Sequence, residues 1–159
     1  MNSSDVIIRK ADISDIAGLV GLLEELCSIE EDFVFDEQKQ RKGLRLTLGD
    51  QNECCVMVAE LNEKVVGMCS AQTLFSTSEG GVVGIVEDMV VSEECREKGI
   101  GKSLLRSIET WAKEKGLTRL QLLADKNNTI ALGFYEKSDW TGTQLICLRK
   151  FFTKKQVNP

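Results

Sequence analysis

Apolar and polar residues follow one of two periods along most of this chain, and the periods predict its elements. Residues 6–9 alternate and read as a first strand. Ile13, Ile16, Val20, Leu23 and Cys27 then recur three or four positions apart, which predicts a helix. Asp12 is placed to cap that helix, with Asp15 three residues on in a capping-box position. An acidic, aromatic connection over residues 28–35 leads to Asp36, which opens a second helix reaching about Leu48 and ended by Gly49-Asp50. Residues 54–61 and 64–74 read as two strands about a tight Asn62-Glu63 turn. The stretch Ser76-Thr77-Ser78-Glu79-Gly80-Gly81 separates them from a strand over 82–91. Ile100, Leu104, Leu105, Ile108 and Ala112 then form one face of a helix that Gly116 is placed to stop. Residues 119–124 alternate as a strand, 128–137 predict a short helix, and 145–150 predict a final strand. No repeat, low-complexity segment or domain linker interrupts this order. It describes a mixed α/β layer arrangement.

At 159 residues the chain is expected to form one domain. Its 42% hydrophobic and 28% charged content suits a globular protein. No apolar run approaches the ~18 residues of a membrane span. The start, Met1-Asn2-Ser3-Ser4-Asp5, lacks the basic region and apolar run of a secretory signal. The six cysteines, at 27, 54, 55, 69, 95 and 147, match no metal-ligand or disulfide framework. They are expected to be reduced, in a cytoplasmic protein.

Two features narrow the chemistry. The chain has no histidine, so Ser-His and Cys-His nucleophile systems and His-ligated metal sites are excluded, and no metal is expected. Its net charge of −5 disfavours nucleic acid as a partner and suits a neutral or cationic small substrate.

The candidate site begins at Val86-Glu87-Asp88-Met89-Val90-Val91, followed by Arg96-Glu97-Lys98-Gly99-Ile100-Gly101. A strand, a short connection and a glycine-containing turn open a helix. Unpaired N–H groups and the helix dipole make such a helix start suitable for a phosphate or pyrophosphate. A Walker A loop would need its first glycine where Arg96 stands, and a dinucleotide fingerprint would need its third where Leu104 stands. The remaining pattern, R-x-x-G-x-G after a strand, resembles the acetyl-coenzyme A pyrophosphate loop of the GCN5-related N-acetyltransferase (GNAT) superfamily.

Other segments resemble the same family in the same order. Ile8-Arg9-Lys10-Ala11-Asp12 with Asp15-Ile16 resembles its first strand and helix entry. Met89-Val90-Val91 resembles its central strand. Asn128-Thr129-Ile130-Ala131 with Phe134-Tyr135-Glu136-Lys137 resembles its late N-x-x-A-x-x-[FL]-Y segment. The resemblance spans roughly residues 6–150. Two departures stand out. Glu93 replaces a frequent proline, and Asp139-Trp140 replaces a frequent Gly-Phe, which suggests a different turn into the following strand.

The resemblance implies a GNAT-like mixed, mostly antiparallel sheet with helices on both faces and a parallel strand pair splayed at the cofactor site. It also implies acetyl-CoA as cosubstrate and acetyl transfer to an amine. Met89, Val90 and Val91 would present backbone groups to the pantetheine arm. Arg96, Glu97, Lys98, Gly99, Ile100, Gly101, Lys102 and Ser103 would hold the pyrophosphate. Asn128, with Ala131 and Phe134 on the same helix, would meet the pantetheine, and Tyr135 would protonate the leaving thiolate.

A phenol with a reference pKa of ~10 is a proton donor near neutral pH. Tyr135 is the only tyrosine. Carboxylates inside an apolar strand carry a desolvation cost, so Glu87 and Asp88 draw notice. Alternation puts Glu87 on the face of Ile85, Met89 and Val91, opposite Asp88. Glu87 is read as the base for the acceptor amine. The resemblance puts the acceptor pocket at the first two helices, their connection and the middle strands, which implies Asp88, Glu30 and Phe33 as acceptor contacts, and carboxylates near aromatics suit an amine cation. The expected enzyme is an N-acetyltransferase using acetyl-CoA and a small cationic amine by direct attack, without a membrane partner. The family supplies homodimerisation as a further expectation. The alternative is a non-catalytic acyl-CoA-binding module of the same fold.

Overall fold

The structure, a computed structural model, describes residues 6–152. The described chain divides between Leu122 and Leu123 into two compact units. The first holds five strands in the order β1-β2-β3-β4-β5: β1 Val6–Lys10, β2 Cys54–Leu61, β3 Lys64–Ser76, β4 Gly81–Val91 and β5 Leu120–Leu122. Neighbours pair antiparallel except β4 and β5, which pair in parallel over residues 84–86 and 120–122. The β2–β3 hairpin turns at Asn62 and Glu63, both left-handed (φ 50° and 63°), the twist that two-residue hairpins favour.

Helices α1 (Ile16–Ile29) and α2 (Glu37–Gly49) cover one face of the sheet. Leu19, Leu22, Leu23, Leu44 and Leu48 pack with Val56, Val58, Met68 and Val90. Asp12 and Asp15 form a capping box, as the sequence suggests, but around a short 3₁₀ turn at Ile13–Asp15 that precedes α1. Arg9 on β1 donates both amino groups to Asp15 at 2.8 Å, and its guanidinium also pairs with Glu60 on β2. That ion pair ties the helix entry to the sheet and holds the Asp15 carboxyl below its ordinary range.

Helix α3 (Ile100–Glu114) takes the other face. A Cβ on Gly67 would meet Leu104 Cδ1 at 3.1 Å, and Gly67 stands one residue from Met68, on the opposite side of β3. Gly116, at φ 73°, ends the helix in the left-handed turn expected of it. The sheet thus has helices on both faces, as expected.

The second unit holds α4 (Thr129–Glu136). The strand expected over residues 145–150 does not form: 141–152 adopt neither helix nor strand. Leu145, Ile146, Leu148 and Phe152 are exposed there, and among the described residues no strand ladder includes this segment. Asp139 adopts φ 64°, the left-handed conformation that glycine favours, so the turn after α4 has that geometry without that residue. Strand β5 is shorter than the expected 119–124, because its pairing with β4 ends at Leu122.

Candidate active site

The register of β4 against β3 changes at one point. Val86 stands opposite Ala71, and Met89 opposite Cys69, so Glu87 and Asp88 together oppose Ser70. This is a β-bulge, with two residues against one. It overturns the alternation drawn from sequence, because Ile85 and Met89 now fall on opposite faces. Asp88 shares the face of Ser70, and hence that of Met68 and Val90, beneath α1 and α2. The Ser70 hydroxyl donates to Asp88 Oδ2 at 3.0 Å, and the Asp88 N–H donates to Ser70 Oγ at 3.1 Å. Ser70 is buried, and burial pushes the Asp88 carboxyl above its ordinary range despite the serine bond. Glu87 is the more exposed of the two acids.

Across from this bulge, Cys27 on α1 has its thiol pKa raised by burial, then by Glu30, then by Asp88. Phe33, in the turn after α1, is about half exposed (47%). Its N–H donates to the Glu30 carbonyl at 3.3 Å.

Beyond Val86, β4 continues to Val91 while β5 has ended, so the parallel pair is open along Glu87 to Val91. A bound thioester arm needs main-chain donors and acceptors; alternation turns those of Met89 and Val91 toward this edge, with the Val91 carbonyl already taken by Arg96, while Val90 pairs with Met68 of β3. The chain then passes a 3₁₀ turn (Glu93–Cys95) and reaches Glu97 and Gly99, both left-handed at φ 62° and 79°. Gly99 is the N-cap of α3 and offers no side-chain bond to the helix start. The first N–H groups of α3, on Ile100, Gly101 and Lys102, are those that helix geometry leaves without intrahelical partners. Ser103 is the first residue to donate back, to the Gly99 carbonyl at 3.1 Å. These donors and this uncapped dipole fit a pyrophosphate.

The cations of the loop point elsewhere. Arg96 Nε donates to the Val91 carbonyl at 2.9 Å, and Lys98 Nζ to the Glu94 carbonyl at 2.7 Å. Among the expected pyrophosphate contacts, the Arg96 and Lys98 side chains thus engage backbone carbonyls, while helix geometry leaves the first N–H groups of α3 without intrahelical partners. Sequence reasoning missed Ser70, whose signal was only its place opposite Glu87-Asp88, and Glu25, whose carboxylate on α1 reaches this loop.

In the second unit, Asn128 Oδ1 caps α4 by accepting the Ala131 N–H at 3.0 Å. Its side-chain amide still has donor capacity. Phe134 and Tyr135 meet edge-on at 5.2 Å, and Trp140 lies 5.9 Å from Tyr135 on a tilted ring. The Trp140 N–H returns to the Tyr135 carbonyl at 3.0 Å. The departure at Asp139-Trp140 thus places an indole against the tyrosine.

None of the six cysteines is in a disulfide. Burial pushes the Cys69 thiol up steeply and Cys55 to about 11, which removes both as thiolate nucleophiles near neutral pH. Among the described residues no group of His, Cys, Asp and Glu could hold a metal ion, and no helix is long and apolar enough to cross a membrane.

Known proteins agree with this arrangement. The profile of the acetyltransferase (GNAT) family matches residues 19–140. An uncharacterised N-acetyltransferase of Archaeoglobus fulgidus is 29% identical over 133 residues, covering 83% of this chain and 90% of its own. The uncharacterised N-acetyltransferase YhfO of Bacillus subtilis is 27% identical over 144 residues, covering 89% of this chain and 95% of its own. Among solved structures, an aminoglycoside acetyltransferase (meta-AAC0020) from an uncultured soil metagenomic sample shares the fold. Its TM-score is 0.75 at 23% identity, over 96% of this chain and 99% of that one. A strand opened at a bulge, an uncapped helix start behind it and a family match across both place this chain in the GNAT family, as an acetyltransferase.

Proposed function

We propose that this enzyme moves the acetyl group of acetyl-CoA to a primary amine by direct attack in a ternary complex, and that the acceptor is a small cationic amine. The observation that carries the acceptor class is the Asp88 carboxylate, fixed by Ser70 at the β4 bulge and facing α1. A carboxylate held in this way gives an ammonium a seat where solvent competes weakly. Aminoglycosides, the substrate class in the name of one structural neighbour, fall within that chemistry.

The residues take these roles in the reading. Backbone N–H groups at the start of α3 hold the pyrophosphate, and the open edge of β4 from Met89 to Val91 holds the pantetheine. Asn128, Ala131 and Phe134 contribute from α4. Asp88 and Glu30 hold the acceptor ammonium, with Phe33 beside it. Glu87 takes the ammonium proton through water, which frees the nitrogen lone pair. The nitrogen attacks the thioester carbonyl, a C–N bond forms, and the C–S bond breaks. Tyr135 gives its proton to the departing thiolate, and the second proton of the attacking nitrogen passes through water to the phenolate, which leaves a neutral amide and a neutral phenol. The family match runs across the boundary between the two units, which supports reading them as one acetyltransferase domain.

The test is thiol release from acetyl-CoA with a panel of polyamines, aminoglycosides, amino-acid amides and neutral analogues. Turnover of the polycationic amines over the neutral analogues is the expected result. Tyr135→Phe should lower kcat about 100-fold, at the low end of general acid–base effects, with acetyl-CoA affinity retained. Saturable acetyl-CoA binding with no turnover of any amine would move the reading to a non-catalytic acyl-CoA-binding module.

A further inference from the structure

Between the C-terminal half of α1 and the segment after β4 lies a cleft of about 590 Å³, lined by Glu25, Ser28, Ile29, Ser92, Glu94 and Arg96 among others. Glu25 on α1 reaches across it to two points of that segment. Its Oε2 accepts the Glu93 N–H at 3.3 Å and stands 3.9 Å from Arg96 Nη2. The same guanidinium uses its Nε on the Val91 carbonyl, the last residue of β4. Arg96 is thus held between the end of the strand and α1, and Glu25 orients it.

We propose that Glu25 is a positioning residue for the coenzyme loop, acting through Arg96 and the Glu93 N–H. The proposal rests on the reading that the start of α3 holds the pyrophosphate. The loop that delivers Gly99 to that helix includes two left-handed residues, Glu97 and Gly99, and each carries a conformational preference the chain must hold in place. The first anchor is the Ser92 N–H on the Val66 carbonyl at 2.8 Å, and the second is the buried Cys95 side chain. Glu25 and Arg96 supply the third, and it is the one that reaches α1. N–H donors bind an anion well only when they are already aimed. A loop released from α1 presents the same donors with a larger ordering cost. The arrangement also gives the arginine of the R-x-x-G-x-G pattern a task that needs no phosphate contact: it fixes the backbone that makes the contact.

The experiment compares wild type, Glu25→Gln, Glu25→Asp, Arg96→Ala and the double variant Glu25→Gln/Arg96→Ala. Acetyl-CoA binding is read by calorimetry, and KM and kcat are read for both substrates. Glu25→Gln should raise the acetyl-CoA Kd and KM about threefold, the scale of a partly exposed charge pair, with kcat and the amine KM unchanged. Glu25→Asp, which keeps the charge, should recover part of that loss. The double variant should lose less than the sum of the two single losses, because the two residues share one contact on the same loop. Wild-type affinity in Glu25→Gln, or losses that add in the double variant, would overturn the proposal while leaving the enzyme reading intact. Absence of acetyl-CoA binding by the wild-type protein would overturn both.

Discussion

Strand β4 and the segment over residues 145–150 are both rich in apolar residues, and they end in opposite situations. β4 pairs with β3 along its length and with β5 over residues 84–86, and both its faces meet helices. Val83, Val86 and Val90 are buried. Residues 145–150 adopt neither helix nor strand, and Leu145, Ile146 and Leu148 are more than four-fifths exposed. Backbone groups in an extended segment need partners, and apolar side chains gain free energy only where another surface removes them from water. β4 has both. The difference teaches that apolar content provides the capacity for burial, while a neighbouring strand and a covering layer turn it into structure.

The comparison is sharpened most by Leu104→Ala. Leu104 is fully buried on α3 against the sheet around β4, and truncation should cost about 2–5 kcal/mol, read as a lowered urea midpoint. A loss below about 1 kcal/mol would mean that α3 does not carry that face. Next comes Gly84→Ala. A Cβ there would stand 2.6 Å from Leu120 Cδ2 and 3.1 Å from Leu117 Cδ1, so these side chains between β4 and β5 must repack, at about 1–3 kcal/mol. An unchanged midpoint would show that Leu120 and Leu117 turn aside freely.

Asp88→Asn tests the place where β4 departs from apolar burial. Burial raises the Asp88 pKa in the native state, so the native state binds the proton more tightly than the unfolded chain does. Stability from this group is greatest below the ordinary aspartate value of 3.8 and falls as pH rises through the raised native pKa. Asp88→Asn should flatten that slope, gain about 1 kcal/mol at neutral pH, and raise the KM for the amine. An unaltered stability–pH curve would remove the buried charge from the account. The smallest effect belongs to the exposed segment. Leu148→Ser should change stability by less than about 0.5 kcal/mol, and a larger loss would show that something covers residues 145–150.

Much of the secondary structure in both units was legible because its signals are local. Asp12, Asp36 and Asn128 each have a side chain that can satisfy N–H groups within three residues, and each does so. Gly99 and Gly116 mark left-handed positions that few other residues take without strain. The chemistry of the loop was legible as a pattern, but the directions of its side chains were not. The resemblance puts Arg96 and Lys98 in a pyrophosphate-holding loop, and the structure turns their side chains to the Val91 and Glu94 carbonyls. The bulge was hidden for a similar reason. Period-two alternation assumes that each residue has one partner, and nothing in Glu87-Asp88 says that both will oppose Ser70.

The sequence by itself determined the order of elements as far as α4, the main caps and turns and the family to which the chain belongs, since each depends on residues close together in the chain. Tertiary structure decided the register of β4 on β3, and with it the face on which Asp88 lies. It also decided the orientation of Arg96 through Glu25, 71 positions earlier in the chain, and the lack of a strand over residues 145–150. These outcomes depend on partners distant in sequence. Pairing, burial and charge contacts across such distances are set when layers pack together, and no local pattern encodes which neighbour will arrive.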